Sequence, residues 1–462
     1  MGNGKYFYRT IDDELLAWSS DKNRRVLLLR GARQVGKSSA VRNLAKHFKY
    51  FVEINFEDVS KQIKNLFVPG VSPQEICQKL SVLKQTPIIP GETLLFLDEI
   101  QACIPAISKL RFFYEQYHEL HIVAAGSLLE FALEELPSFG VGRISSFFMY
   151  PFSFSEFLIA QDKNTWVDEY SKATPDNPLF EALHEQLLKQ LQIFMSIGGM
   201  PAVIAEYIEN QDLLRCQDLL NDILASFRSD FAKYRERVPA SRINEVFESV
   251  AKQAEGKFVY EKAGVQLSNR QVKDALELLI MAGLVYPVTH TAANGIPLGA
   301  EANHKFERMF MFDTGLFQHV LGLNIGELLL ADNFKTVNRG ALAEIFIGLE
   351  LIKASSCRNP HSLYYWQREK SQGSAQIDFL VQKHDRIIPL EVKSGTQGAM
   401  QSLRWFMQEK KIEMGVRTSL ENFARYDNIE VYPLYAISNL LKNNYHNNRT
   451  NNISNNANPY RT

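Results

Sequence analysis

The sequence predicts an α/β protein in several units: a parallel sheet built around a phosphate-binding loop, a helical middle, and a second α/β unit towards the C-terminus. Three observations predict it. The glycine-rich turn Gly31-Ala32-Arg33-Gln34-Val35-Gly36-Lys37-Ser38 follows the apolar run 26–29 and opens the helix-like stretch 39–46. A second apolar run, 94–97, ends in the adjacent acids Asp98 and Glu99, as a buried parallel strand with a functional end would. Three more strand-like runs, 363–367, 377–381 and 387–393, follow an amphipathic helix and carry Asp378, Glu391 and Lys393.

Composition sets limits around these motifs. With 462 residues the chain has room for about three domains of ~150 residues, and 45% hydrophobic content suffices for buried cores. Lys and Arg number 51 against 52 Asp and Glu, so no global field steers the chain to nucleic acid or a membrane, and any basic surface has to be local. Cys77, Cys103, Cys216 and Cys357 are too dispersed for a zinc cluster or a disulfide framework, which points to reduced thiols. No apolar segment approaches the ~20 residues of a membrane helix, and the N-terminus is polar and aromatic rather than leader-like. The expected compartment is the cytoplasm.

In the turn, Gly31 and Gly36 permit a curl that aims backbone N–H groups at phosphate oxygens, and the following helix adds the partial positive charge of its N-terminus. Lys37 can reach the β- and γ-phosphates, and the Ser38 hydroxyl can join a Mg²⁺ shell. Ala32, Arg33, Gln34, Val35 and Ser39 complete the expected nucleotide contacts. Asp98 is placed to hold the same Mg²⁺ and Glu99 to polarise an attacking water. ATP and Mg²⁺ are therefore the expected cofactors, and hydrolysis to ADP and phosphate the expected reaction.

Taken in order, residues 8–19 form a short amphipathic helix on Ile11, Leu15, Leu16 and Trp18. A strand at 50–56, a helix at 73–83 and the strand ending at Asp98 continue the alternation of a parallel sheet with right-handed crossovers. The strand at 120–125 runs into Gly126 and Ser127. Ser127 is a candidate sensor of the γ-phosphate and equally a candidate N-cap for the helix after it. Arg143 precedes a fifth strand at 144–150; it is a candidate arginine finger, in cis or across an oligomer interface, or else an ordinary surface arginine. From 157 to 237 the periodicity is helical, interrupted by Gly198-Gly199-Met200-Pro201, which reads as a tight turn or as the hinge of a lid. Residues 239–288 read as a winged helix, with Arg270, Gln271 and Lys273 suited to DNA, although such modules as often serve packing or protein docking. The Asn-rich stretch 443–462 has too little apolar content to order itself.

The last unit carries a second constellation. Asp378 at the start of one strand and Glu391 on the next would share a divalent ion, with Glu344 on the preceding helix as a further ligand or water-holder. Lys393 falls on the face of Glu391 through the strand period of two, where it would stabilise charge or activate water. This is the PD-(D/E)XK arrangement of metal nucleases.

With the 31–38 loop, Asp98-Glu99, Gly126-Ser127, Gly142-Arg143, Gly199-Met200-Pro201, Asp313-Thr314-Gly315-Leu316 and Glu391-Val392-Lys393-Ser394-Gly395 in this order, the chain resembles the prokaryotic AAA-type ATP-binding proteins that carry a C-terminal domain of unknown function. The resemblance covers nearly everything but the Asn-rich tail. It implies an additional-strand P-loop ATPase core with sheet order 5-1-4-3-2 (1–156), a helical lid (157–237), a winged-helix-like part (238–300), a restriction-endonuclease-like domain (301–442) and a disordered tail (443–462). Gln376 departs from the pattern, standing where an acid is expected two residues before Asp378. The leading expectation is an ATPase whose nucleotide state governs a C-terminal module acting on DNA. The alternative is a regulatory switch that works on a protein partner or a second copy, with the C-terminal fold a catalytically inactive interaction domain.

Overall fold

The computed structural model describes residues 5–127, 129–134, 142–232, 238–264, 267–323, 339–359, 362–368, 375–396 and 400–441. The expected tail at 443–462 and the last residues of the expected lid lie outside the described residues.

Strands β1 (Val26–Arg30), β2 (Tyr50–Asn55), β3 (Thr93–Asp98), β4 (His121–Ala125) and β5 (Ile144–Phe148) form a parallel sheet in the order β2-β3-β4-β1-β5, the expected 5-1-4-3-2. Alternate side chains face opposite ways along a strand. Leu27, Leu29, Phe96 and Val123 accordingly enter one core, while Leu28, Leu95, Leu97 and Ile122 enter another on the far face. Burial on both faces is why these strands read as continuous apolar runs.

Helices Phe154–Ala160, Asn164–Lys172, Glu181–Ile197, Pro201–Asn210 and Leu213–Phe231 follow. Their starts are legible in the chain: Ser153 and Glu156 form a capping box, Pro201 occupies a first turn, and the Asp212 side chain accepts from the Arg215 N–H. The turn between Ile197 and Pro201 is held by contacts with Asp313 and Phe152. Gly198 has φ +76°, and a Cβ there would meet Asp313 Oδ1 at 2.2 Å. The Gly199 N–H donates to Asp313 Oδ2 at 2.6 Å, while its carbonyl accepts from the Phe152 N–H at 2.8 Å. Asp313 also caps helix Thr314–Val320 through the Leu316 N–H at 3.0 Å. The buried Asp313 carboxylate therefore ties this turn to the start of helix Thr314–Val320, and Phe152 joins through the Gly199 carbonyl.

Beyond helices Ala240–Lys252 and Asn269–Met281, β6 (Val285–Thr291) and β7 (Ala302–Met311) form an antiparallel hairpin. The C-terminal part adds β8 (Leu363–Gln367), β9 (Gln376–Lys383), β10 (Arg386–Val392), β11 (Gly415–Ser419), β12 (Ala424–Tyr426) and β13 (Ile429–Pro433). The hairpin is not a free wing: β6 pairs in parallel with β8 through Val288 and Leu363, which makes it the edge of an eight-stranded mixed sheet, β12-β13-β11-β10-β9-β8-β6-β7. The expected boundary at 300/301 thus falls between two paired strands. The reason is hydrogen bonding: β6 satisfies its backbone groups along both edges, one towards β7 and one towards β8. Of the expected DNA contacts, Gln271 serves in a capping box with Ser268, and Lys273 pairs with Glu277 at 3.6 Å.

One apolar cluster runs from Phe7 through Phe96, Phe157, Phe227, Phe312 and Phe346 to Leu440, so the parts read as separate units share a core. Helix Arg339–Ala354, buried along most of its length, closes this core from the C-terminal side. Its Glu350 accepts from the Phe154 N–H and its Lys353 donates to the Phe152 carbonyl at 2.8 Å. The cysteines are free thiols, and no helix among the described residues is long and apolar enough to cross a membrane.

Replacing Asp313 by Ala strands two buried N–H donors, those of Gly199 and Leu316. The expected loss is about 2–4 kcal/mol of unfolding free energy in urea, with a smaller loss for Asp313→Asn, which keeps an acceptor oxygen. A melt unchanged in Asp313→Ala would show that the joint holds without its carboxylate.

Candidate nucleotide site

β1 delivers the glycine-rich loop to the C-terminal edge of the parallel sheet. Gly31 has φ +137°, and a Cβ there would lie 2.1 Å from the Met149 carbonyl oxygen, so a side chain is excluded by strain and by space. Gly36, at φ +100°, is the N-cap of helix Lys37–Ala45, and no side chain caps the first turn, whose N–H groups are thereby left to an anion. Lys37 is 8% exposed and folds back on its own loop, donating to the carbonyls of Gly31 at 2.8 Å and Ala32 at 2.7 Å. Burial pulls its pKa down to about 8, against the opposing charges of Glu99 and Asp98. Ser39 lies on the exposed side of the same turn.

The Ser38 hydroxyl donates to Asp98 Oδ2 at 2.9 Å across the gap between helix and β3. Burial raises the Asp98 pKa, and the Ser38 hydrogen bond works against that rise. Glu99 adopts the left-handed conformation, φ +46°, which is uncommon outside glycine. Its Oε2 accepts from Gln101 Nε2 at 2.6 Å and from the Ser127 N–H and hydroxyl at 3.2 Å each. Ser127 reaches Glu99 because β4 lies beside β3. Gly126 makes room for this arrangement: a Cβ there would sit 2.0 Å from Gln101 Oε1, which is buried without a hydrogen-bond partner. These residues fit a nucleotide with its Mg²⁺, since a glycine cradle, a lysine and a hydroxyl–carboxylate pair converge on one sheet edge.

Residues outside the motif hold the loop in place. Arg9 donates to the Val35 carbonyl at 3.1 Å and the Tyr150 carbonyl at 2.7 Å, and it pairs with Glu156 at 3.2 Å. Arg33 is ion-paired at 2.5 Å to Asp230 of helix Leu213–Phe231, and Gln34 donates to Ser226 of that helix at 3.1 Å. Gly283, after helix Asn269–Met281, lies so close that its Cβ would be 3.3 Å from the Ala32 nitrogen. Arg9, Gln101 and Asp230 escaped the sequence reading. Gln101 had a signal, standing two residues after Glu99, whereas Arg9 and Asp230 act across long separations.

Arg143 is not in this chain's own site. It precedes β5, whose Ile144 is level with Val26 at the start of β1, about 15 Å of strand away from the loop, and it pairs with Glu115. Of the two finger roles expected for it, only the one across copies is compatible with that position.

The C-terminal acids are arranged differently. Among the described residues no group of three or more His, Cys, Asp or Glu is positioned to hold a metal ion. Asp378 accepts from the Val392 N–H at 2.8 Å and from Gln376 Nε2 at 3.2 Å. Glu391 pairs with Lys393 at 2.7 Å, and Glu344 with Arg308 of β7. Burial pushes Glu344 up to about 7, with Arg308 opposing, and it raises Glu391 likewise, with Lys393 opposing. Asp378 is held by neutral donors only and Glu391 Oε2 is buried without a hydrogen-bond partner, but Glu344, Asp378 and Glu391 do not form a group of three positioned for a divalent ion. Arg308, which lies far from the motif in sequence, went unread.

Comparison with known proteins agrees with the sheet and the loop. Residues 23–158 match the family described as AAA domain, while residues 188–326 and 339–437 match two domains of unknown function (DUF8612 and DUF4143). No curated protein matches the chain. Similar solved structures include a Walker-type ATPase of Pyrococcus abyssi, at 16% identity and TM-score 0.45 over 69% of this chain and 96% of that one. The RuvB Holliday junction branch migration motor of Thermotoga maritima aligns at 13% identity and TM-score 0.27 over 60% of this chain and 89% of that one. A signal transduction ATPase with numerous domains from Pyrococcus horikoshii aligns at 10% identity and TM-score 0.27 over 75% of this chain and 46% of that one. The loop, the strand order and the AAA match together make residues 23–158 an AAA-type P-loop ATPase domain.

The depressed Lys37 pKa makes ATP binding pH-dependent. Phosphate charge favours the ammonium, so the pKa rises from about 8 on binding, and above pH 8 the complex takes up a proton that the free chain lacks. Affinity should accordingly fall as pH rises through 8–9. Calorimetry in buffers of different ionisation enthalpy should read uptake of roughly half a proton or more at pH 8.5 and none from Lys37 at pH 6.5. Equal uptake at both, or none at either, would mean that Lys37 stays charged in the free loop.

Proposed function

We propose that the protein binds and hydrolyses ATP with Mg²⁺ and works as an ATP-driven switch on a protein partner or a second copy. The observation that carries the reading is the environment of Glu99. One of its carboxylate oxygens accepts from Gln101 and Ser127, which orients the other, as a residue that polarises water requires. Lys37 would exchange its loop carbonyls for phosphate oxygens, and Ser38 with Asp98 would hold the metal. Bound Mg²⁺ supplies neutralisation of phosphate charge.

The switching part of the reading rests on what touches the loop. Arg33 and Gln34 are tied to helix Leu213–Phe231, and Ala32 abuts the turn at Gly283 that leads into β6. A shift of the loop on gaining or losing phosphate therefore presses on the helical part and on the edge of the C-terminal sheet. A DNA-cutting C-terminal module is the less favoured reading. The helix, the β8-β9-β10 meander and the parallel β11 support a nuclease-like connectivity, but the ion pairs on Glu344 and Glu391, and the lack among the described residues of a three-acid group placed for a metal, weigh against metal-dependent cleavage.

Glu99→Gln should keep ATP bound and slow turnover by about 10²–10⁴-fold, the usual scale for a lost general base. Lys37→Ala should abolish tight binding itself. Steady-state phosphate release alongside nucleotide titration separates the two, and a Glu99→Gln protein that loses binding and turnover together would reassign Glu99 to a structural role.

A further inference from the structure

Gln101 is a group in the nucleotide site that packing alone does not explain. Its Nε2 donates to Glu99 Oε2 at 2.6 Å, closer than the Ser127 N–H or hydroxyl, each at 3.2 Å. Its Oε1 is buried without a hydrogen-bond partner. A buried amide oxygen without a donor is unfavourable, and an apolar side chain of the same size would fill the space without that cost. The amide is therefore retained for what its other end does. Residues two apart do not face each other on a regular helix. Here Glu99, at φ +46°, turns the chain before the short helix Ile100–Ala102, and the buried Ile100 and Cys103 anchor that turn in a core they share with Leu97 and Ala124. The amide oxygen lies where a side chain at Gly126 would begin: a Cβ there would stand 2.0 Å from Oε1 and 3.6 Å from the Cβ of Leu129. β3 and β4 pair up to Leu97 and Ala124, so Glu99 and Gly126 leave the sheet side by side.

We propose that Gln101 and Gly126 form one positioning unit for Glu99, in which the bare backbone at 126 decides how the Gln101 amide is turned; this rests on the reading of Glu99 as the residue that polarises the attacking water. With no Cβ at 126, the amide oxygen tucks against the exit of β4 and the NH₂ faces Glu99, the one end of the amide that a carboxylate accepts. A Cβ would drive the oxygen out of that space and rotate the NH₂ away from Glu99 Oε2. Glu99 would then be held by Ser127 through two longer bonds, and its second oxygen would lose its fixed direction. Gly126 thus acts on the geometry of hydrolysis through Gln101, and Gln101 acts through Glu99.

The test measures phosphate release from ATP, and affinity for Mg²⁺ with a non-hydrolysable ATP analogue, on full-length protein. The variants are Gln101→Ala, Gly126→Ala, the two combined, Glu99→Gln, and Gln101→Ala in the Glu99→Gln background. Gln101→Ala and Gly126→Ala should each lower kcat by about 10–10²-fold, the scale of a small misplacement of a reacting group, and leave affinity nearly unchanged. In the Gln101→Ala/Gly126→Ala double variant the new Cβ enters the space that the glutamine vacates, so kcat should match that of Gln101→Ala and fall no further. In the Glu99→Gln background, Gln101→Ala should cost no additional turnover. A merely structural role would lower stability without moving kcat per folded molecule or producing these two couplings. Gln101→Met, which keeps the volume and loses the donor, should show the same kcat loss and serves if an alanine variant does not fold. A folded Gln101→Met or Gln101→Ala protein that turns over like wild type overturns the proposal, as do losses that multiply in the Gln101→Ala/Gly126→Ala variant. Wild-type turnover in Glu99→Gln overturns the underlying reading of Glu99 as well, whereas a slow Glu99→Gln beside a fast Gln101→Met overturns the positioning unit alone.

Discussion

Arg9 takes a full positive charge into the interior at the base of the phosphate-binding loop, and the geometry of the loop depends on how that charge is matched. A buried guanidinium left unpaired costs several kcal/mol, so its partners are held as firmly as it is. Two are carbonyls, one in the loop and one just past β5, and the third is Glu156 in the first helix after the sheet. Burial alone would raise the Glu156 pKa, yet Arg9 and the amides of Ser153 and Thr10 hold it below the usual carboxylate range. The Phe152 ring, 4.1 Å from the guanidinium, closes the remaining side. The curl of the loop, the exit of β5 and the entry of the helical part are therefore set by one residue near the N-terminus.

From that point a chain of contacts links the parts of the described residues. Phe152 carries the constraint onward through its hydrogen bond with Gly199, Asp313 grips the same turn, and Lys353 returns to the Phe152 carbonyl from the C-terminal helix. The apolar cluster is continuous along this route. Close-packed interiors transmit displacement rather than absorb it, so a change at the loop has contacts along which to travel to the mixed sheet.

The two acid centres show how partners decide what a carboxylate can do. Asp98 and Glu99 are held by neutral donors, a serine hydroxyl in one case and a glutamine amide with Ser127 in the other. Such donors orient a carboxylate and leave its charge available to an incoming cation. Glu344 and Glu391 are held by full cations, Arg308 and Lys393, which consume that charge. The residue types are the same and the electrostatics opposite.

What the sequence determined by itself is whatever is local. Gly31 and Gly36 mark backbone that a side chain would spoil, the apolar runs before Arg30 and Asp98 mark strands covered on both faces, and Ser153 and Asp212 mark helix starts, because each signal lies within a few residues of its effect. The parallel sheet and the nucleotide loop were legible for that reason. Only the tertiary structure decided the rest. The carboxylate that meets the turn at Gly198 and Gly199 comes from Asp313, 114 residues beyond Gly199. The fate of the β6–β7 hairpin depended on whether a third strand would pair with it, which Val285 and Val288 announce in the same way for a wing and for a sheet edge. The partner of Glu344 is Arg308, a single charge on a distant strand. Periodicity records which face of an element is buried, but it does not record which partner meets a charge there, since that pairing is made between elements and leaves no repeat in the chain.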